Sequence, residues 1–233
     1  MNTFFILVNP SVTENIGASA RAMNTMGFNN LRLVNPCDHL CDKAKMLAHG
    51  SHSILEKAVL FSSLEKAIQD IDFVIGTTAK KRSAKEDYYP ANQIVKQLHK
   101  KGNTIFSLAI PFGKEESGLT NEEIKLCDLV SSIPMHAPYP SLNLAQTVMI
   151  YAYLLSDFSQ KTSDAGGIKI IPPSYPPLKE KIQKVLKTTR IKENKTLYNR
   201  IMERVTLLEE DDIHLLHSIT EQLLSLINNN RKQ

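Results

Sequence analysis

Cysteine is scarce and odd in number: only Cys37, Cys41 and Cys127 occur among 233 residues. Three thiols cannot make a fully paired disulfide framework, and the count fits reduced thiols in the cytoplasm. Long hydrophobic runs are missing too. No stretch approaches the roughly 18 consecutive apolar residues a membrane-spanning helix needs, so no membrane partner is expected. The first eight residues have neither a basic leader nor a small-residue cleavage site; they read as a buried strand, not a signal peptide. No internal repeat or low-complexity tract is present. No Gly-x-Gly-x-x-Gly follows the first strand, which argues against an ordinary dinucleotide-binding site and an oxidoreductase built on it. What remains suits a soluble globular protein: 42% hydrophobic residues and enough length for one good core plus an appendage. The net charge of +4 permits an anionic partner without demanding one.

Short apolar segments alternate with helical ones. Strands are expected at residues 4–9, 31–34, 72–77, 104–110 and 129–133. Helices are expected at 16–26, 43–47, 53–59, 63–70, 92–100 and 142–155. Gly27 is placed to close the first helix as its C′ residue, and Thr120-x-x-Glu123 spells a capping box. Alternation of this kind argues for an α/β fold with a parallel sheet covered on both faces. Ligands bind such sheets at the strand ends. Four of those ends carry suggestive loops: Asn9-Pro10, Thr77-Thr78-Ala79, Pro111-Phe112-Gly113 and Ile133-Pro134.

After residue 158 the composition shifts. Residues 159–178 hold Gly166-Gly167 and four prolines and read as a linker. Residues 179–204 are basic, with nine Lys/Arg against three Glu. The acidic run 209–212 suits a helix N-terminus, and apolar spacing over 214–228 is helical. The expected organisation is therefore a domain at 1–158, a linker at 159–178 and a small helical extension at 179–233. The basic stretch is a candidate for general RNA affinity. Lys80-Lys81-Arg82 with Lys85 is a weaker candidate, and Tyr88 and Tyr89 read as packing residues more readily than as base-stacking ones. Cys37-x3-Cys41 with His49-x2-His52 only faintly resembles zinc spacing, so no metal is expected.

The richest segment is residues 134–147. Three prolines stiffen a loop that runs into a helix whose start carries Ser141 and Asn143, both capping types. A stiff loop feeding a helix start presents free backbone N–H groups to a ligand. Two other segments stand out: Glu14-Asn15-Ile16-Gly17-Ala18-Ser19-Ala20-Arg21, and Phe112-Gly113-Lys114-Glu115-Glu116-Ser117-Gly118-Leu119. With Ile133-Pro134 and Ser141-Leu142-Asn143-Leu144-Ala145-Gln146, they resemble the three motifs of the SpoU-type (SPOUT) RNA ribose 2′-O-methyltransferases, in order and at similar spacing. The wording of the third motif, and the presence of an extension, look closest to the TrmJ-like branch.

The resemblance implies a fold whose C-terminal segment forms a trefoil knot, S-adenosyl-L-methionine as cofactor, and a homodimer. It implies Arg21, Asn15, Glu115 and Asn143 as catalytic residues. It also implies cofactor contacts from Thr77, Thr78, Ala79, Gly113, Ile133, Ser141, Leu142 and Asn143, with Ile133 and Leu142 against the adenine. Arg21 would act either as base or as a clamp on the phosphate next to the target ribose; a guanidinium, which does not deprotonate in proteins, favours the clamp. The implied substrate is tRNA at nucleotide 32 of the anticodon loop. The same chemistry on rRNA, and a non-catalytic RNA-binding protein with this fold, stand as alternatives. His136 and Pro140 interrupt the third motif, and no basic residue follows Glu115.

Overall fold

The computed structural model describes residues 1–80, 84–85, 87–136, 142–159 and 175–230, with only the backbone of 159 and 228–230. Seven strands form one parallel sheet: β1 (Asn2–Val8), β2 (Asn30–Val34), β3 (Val59–Phe61), β4 (Phe73–Thr77), β5 (Tyr89–Pro90), β6 (Ser107–Phe112) and β7 (Leu129–Ser132). Their order is β3-β2-β1-β6-β4-β7-β5. The helices are α1 (Thr13–Thr25), α2 (Asp42–Leu47), α3 (His52–Glu56), α4 (Leu64–Ala67), α5 (Ala91–Lys101), α6 (Asn121–Leu126), α7 (Leu144–Ser159), α8 (Tyr175–Thr188), α9 (Lys195–Val205) and α10 (Glu210–Asn230). The expected α/β class with a parallel sheet is the observed one.

The central strands are buried on both faces, as their unbroken apolar runs require. Phe5, Ile6 and Leu7 of β1 are fully buried, as are Leu108, Ala109 and Ile110 of β6. Phe5 stacks on Phe112 with ring centroids 6.0 Å apart, and Phe112 meets Tyr151 of α7 edge-on at 5.7 Å. Local signals in the sequence act where expected. Gly27 adopts φ 82° just beyond α1, and Phe28 donates its amide to the Met23 carbonyl, which is the helix-closing bond that such a glycine permits. The Thr120–Glu123 capping box forms in both directions.

Several boundaries differ from expectation for identifiable reasons. The helix expected over 53–59 stops at Glu56, because Val59-Leu60-Phe61 pairs with β2 as an edge strand. Its β-branched and aromatic residues favour that state. β6 lies later than expected and runs through Pro111, opposite Ile6. A proline lacks the N–H a central strand uses, yet the site is permissive. By that level β4 has left β6 and pairs with β7 instead, through Ile75–Thr77. The Thr77 hydroxyl donates to the Pro111 carbonyl at 2.9 Å and bridges the parting strands. β5 was unforeseen. Tyr89 is tied to it, paired with Ser131, and Tyr88 packs against the core, so both tyrosines have structural duties.

Two compact units are present: residues 1–95 with 107–167, and residues 96–106 with 168–233. The second packs α8 against α10 around Tyr175, Leu178, Leu186 and Ile213. It also includes residues 96–106, which the sequence did not assign to it. Lys101, 2% exposed, lies 4.6 Å from the Tyr175 ring centroid and donates to the Leu208 carbonyl at 2.8 Å. α8 begins inside the stretch expected to be a linker. Pro176 and Pro177 occupy its first turn, where the missing N–H groups leave no helical bond unmade.

Candidate active site

Glu115 sits in the loop after β6, half-buried, and accepts four hydrogen bonds. One oxygen takes the Ser11 amide at 3.1 Å and the Ser11 hydroxyl at 3.0 Å. The other takes the Val12 amide at 3.2 Å and Asn15 Nδ2 at 3.0 Å. The N-cap of α1 is Val12, whose side chain offers no cap. Glu115 therefore supplies, from a distant loop, the negative charge that a helix start favours. Burial alone would raise its pKa; the hydrogen bonds from Asn15 and Ser11 outweigh burial and hold it below the ordinary 4.5. The carboxylate is thus ionised at neutral pH.

The chain of contacts continues from Asn15, whose Oδ1 accepts from Asn143 Nδ2 at 2.8 Å. Asn143 in turn caps α7. Its Oδ1 accepts the Ala145 amide at 2.8 Å, and Gln146 Oε1 accepts the Asn143 amide at 3.1 Å, the reciprocal pattern of a capping box. Three segments far apart in sequence thus meet through Glu115, Asn15 and Asn143. Each amide keeps a second N–H that these bonds leave over.

Beside this bridge lies a slot lined by Thr77, Thr78 and Ala79 at the end of β4, Phe112 and Gly113 at the end of β6, and Ile133 after β7. Met135, Leu142, Leu144, Thr147 and Tyr151 close it. Its rear wall is fixed: Tyr151 is buried and donates to Ser131 Oγ at 2.8 Å, burial pushing the phenol's pKa well up. The Thr78 amide is held by the Ser131 carbonyl at 2.9 Å. At Gly113 a Cβ would lie 2.0 Å from the backbone of Gly118 and Leu119, so the loop closes on itself only with glycine there. The slot holds about 100 Å³, below the roughly 300–1,000 Å³ usual for ligand pockets. The walls are largely apolar, with Thr77, Thr78 and Thr147 the hydroxyl-bearing side chains among Ile133, Leu142 and the other lining residues.

The structure gathers Thr77, Thr78, Ala79, Gly113, Ile133 and Leu142 around this slot, and Asn15, Glu115 and Asn143 into one hydrogen-bonded set. Ser141, with Lys81 and Arg82, lies outside the described residues. Arg21 is exposed on α1, and Glu115 orients Asn15 rather than Arg21. Arg21 lines a neighbouring groove with Ala18 and Ala22 of α1 and Leu142, Met149 and Ile150; the groove and the slot share Leu142. Sequence reasoning missed Leu144, Thr147 and Tyr151 as slot residues, although their i, i+3, i+7 spacing puts them on one helix face. Cys37, Cys41, His49 and His52 do not assemble: among the described residues no group of three or more His, Cys, Asp or Glu could hold a metal ion.

Comparison with known proteins identifies the family. Residues 2–153 match the SpoU rRNA Methylase family, and residues 174–227 match the C-terminal domain of the tRNA/rRNA methyltransferase LasT. The Escherichia coli K12 protein called "Uncharacterized tRNA/rRNA methyltransferase LasT" is 38% identical over 96% of this chain and 97% of its own length. The tRNA (cytidine-2′-O-)-methyltransferase TrmJ of Methanocaldococcus jannaschii is 39% identical, over 64% of each chain. The crystal structure of TrmJ from Z. mobilis ZM4 superimposes with a TM-score of 0.64 at 26% identity, covering 95% of this chain and 98% of that one. The strand-end slot, its asparagine–carboxylate bridge and a family match over residues 2–153 lead to one conclusion: this chain belongs to the SpoU methylase family.

Proposed function

We propose that this protein is an S-adenosyl-L-methionine-dependent RNA 2′-O-ribose methyltransferase acting on tRNA, with nucleotide 32 of the anticodon loop as its target. The observation that carries the reading is the Glu115–Asn15–Asn143 bridge standing beside an apolar strand-end slot. When bound, the cofactor supplies an activated methyl group on a sulfonium. The chain's own work is positioning and electrostatics. Ile133, Leu142, Leu144 and Phe112 exclude water from the slot. The spare N–H groups of Asn15 and Asn143 hold the ribose oxygen in line, and ionised Glu115 fixes Asn15. Arg21 grips the adjacent phosphate with its planar fork, and the hydroxyl proton leaves to that phosphate or to water.

A homodimer is part of this proposal. The groove between α1 and α7 carries half-buried Met149 and Ile150 beside Arg21. Its apolar character suits a second copy of the chain, which would enclose Arg21 near the substrate. A trefoil knot is also proposed, supported by β7 lying between β4 and β5, strands that precede it in the chain. A cytoplasmic setting accords with three free cysteines and with no described helix being long and apolar enough to cross a membrane. rRNA is the second reading, favoured by the tRNA/rRNA wording of the LasT relatives. The test is Arg21→Ala. Methyl transfer should fall at least a hundredfold, while calorimetric affinity for S-adenosyl-L-methionine changes less than about threefold. Full activity of the variant would overturn the role of Arg21; absence of cofactor binding by the wild type would overturn the whole reading.

A further inference from the structure

The second compact unit contains a depression of about 420 Å³ lined by Glu180, Gln183, Lys184 and Lys187 of α8, Lys192 after it and Tyr198 of α9. Positions 180, 183, 184 and 187 fall on one helix face. The opposite face buries Leu178 and Leu186, so the charged face is fixed outward by the packing of the apolar one. Two other cations of this unit are paired: Lys181 with Glu221 at 3.3 Å and Arg200 with Glu203 at 3.3 Å. Among the described residues, none of the Lys184, Lys187 and Lys192 ammonium groups pairs with a carboxylate, although Glu180 shares the depression with them.

The chain brings Lys192 to this place through a strained turn. Arg190 adopts φ 61°, a left-handed conformation that costs a non-glycine residue free energy. It separates α8 from the short 3-10 turn Ile191–Glu193. The three lysines outnumber the single carboxylate of the depression, Glu180, so a net positive charge gathers there that a bound polyanion would offset. Tyr198, half-buried among the exposed lysines, adds a flat aromatic surface. A phosphate alone needs only the cations. Cations around an aromatic face are what a single-stranded nucleic acid uses, with phosphates on the lysines and a base on the ring.

We infer that this depression is a second RNA-contact site, taking phosphodiester groups on Lys184, Lys187 and Lys192 and stacking an unpaired base on Tyr198. The inference rests on the RNA-methylation reading but assigns a site apart from the methyl-transfer centre. Its role is to raise RNA affinity and choose which RNA is held, not to take part in chemistry.

The test is fluorescence anisotropy of the full-length protein with a tRNA transcript and with a short single-stranded RNA, over a series of salt concentrations. Lys187→Ala combined with Lys192→Ala should weaken binding about tenfold. It should also reduce the salt slope by about 1.4, since each lost phosphate contact on a single strand is worth about 0.7. Tyr198→Leu, which keeps apolar packing, should weaken binding at least about fivefold with the slope unchanged, as loss of one stacked base predicts. Cofactor affinity should be unaltered in both variants. If RNA binds and is methylated but affinity and slope stay at the wild-type values, the site assignment is wrong while the enzymatic reading stands. If the wild type binds cofactor but no RNA, both fail. If poly-glutamate displaces RNA from the wild type as well as RNA itself does, the depression is a general polyanion or acidic-protein site and the inference falls.

Discussion

Replacing Glu115 by glutamine removes a charge and exchanges one acceptor oxygen for an N–H₂ donor, while all four of its present partners are donors. Two orientations are open to the new amide. If its nitrogen faces Val12 and Asn15, Asn15 must flip and surrender the bond from Asn143. If it faces Ser11, the Ser11 hydroxyl rotates to accept, and only the Ser11 amide is left opposed by a donor. The second orientation costs less, so the bridge to Asn143 survives while the anchor at the start of α1 loses its charge and the bond from the Ser11 amide. Bonds to charged groups contribute about 1.5–3 kcal/mol each, and partial exposure lets water replace some of that. A loss of about 1–2 kcal/mol follows, or about 2–8 °C in the melting temperature for a domain of this size. Glu115→Ala should cost more, because all four donors then lose their acceptor and Asn15 loses its orientation. The assay is thermal unfolding with methyl-transfer rates on the same samples. Gln should retain a measurable rate and Ala should not. Equal stability of wild type and the glutamine variant, or equal activity of the glutamine and alanine variants, would refute the reasoning.

The same carboxylate sets a pH dependence. Its folded pKa is depressed below 4.5, so its stabilising contribution is complete above about that pH and is lost as pH falls through the folded-state value. The stability gap between wild type and Glu115→Gln, followed by urea unfolding, should therefore close on acidification below pH 4.5 and stay constant from there to neutrality. Gly113→Ala should abolish binding of S-adenosyl-L-methionine in calorimetry, since a Cβ 2.0 Å from the Gly118–Leu119 backbone forces the loop open; far-ultraviolet circular dichroism should remain near wild type because the sheet is untouched.

Much of the architecture could be read from apolar periodicity, because parallel strands and amphipathic helices announce themselves by pattern. The elements missed were those set by tertiary context. β3 and β5 are short edge strands that exist through pairing with β2 and β7. Pro111 signalled an end to β6 that the parting of β4 from β6 makes unnecessary. In the site, the segments carrying Asn15, Glu115 and Asn143 were conspicuous as motifs, but their mutual hydrogen bonds, across 100 and 128 residues of sequence, are a product of folding. The pairing of Glu115 with Asn15 in preference to Arg21 likewise depends on which helix face each occupies. No local pattern encodes the walls at Phe112, Gly118 and Met135, which reach the slot only because strand ends converge.

The most direct measurement is ribose-methylation mapping of tRNA and rRNA after incubation with the purified protein and S-adenosyl-L-methionine carrying a labelled methyl group. The account predicts label on a ribose 2′-oxygen at nucleotide 32 of tRNA, absent with Arg21→Ala. Label confined to rRNA would contradict the tRNA assignment; label on a base, or none on either RNA from a protein that binds the cofactor, would contradict the central claim.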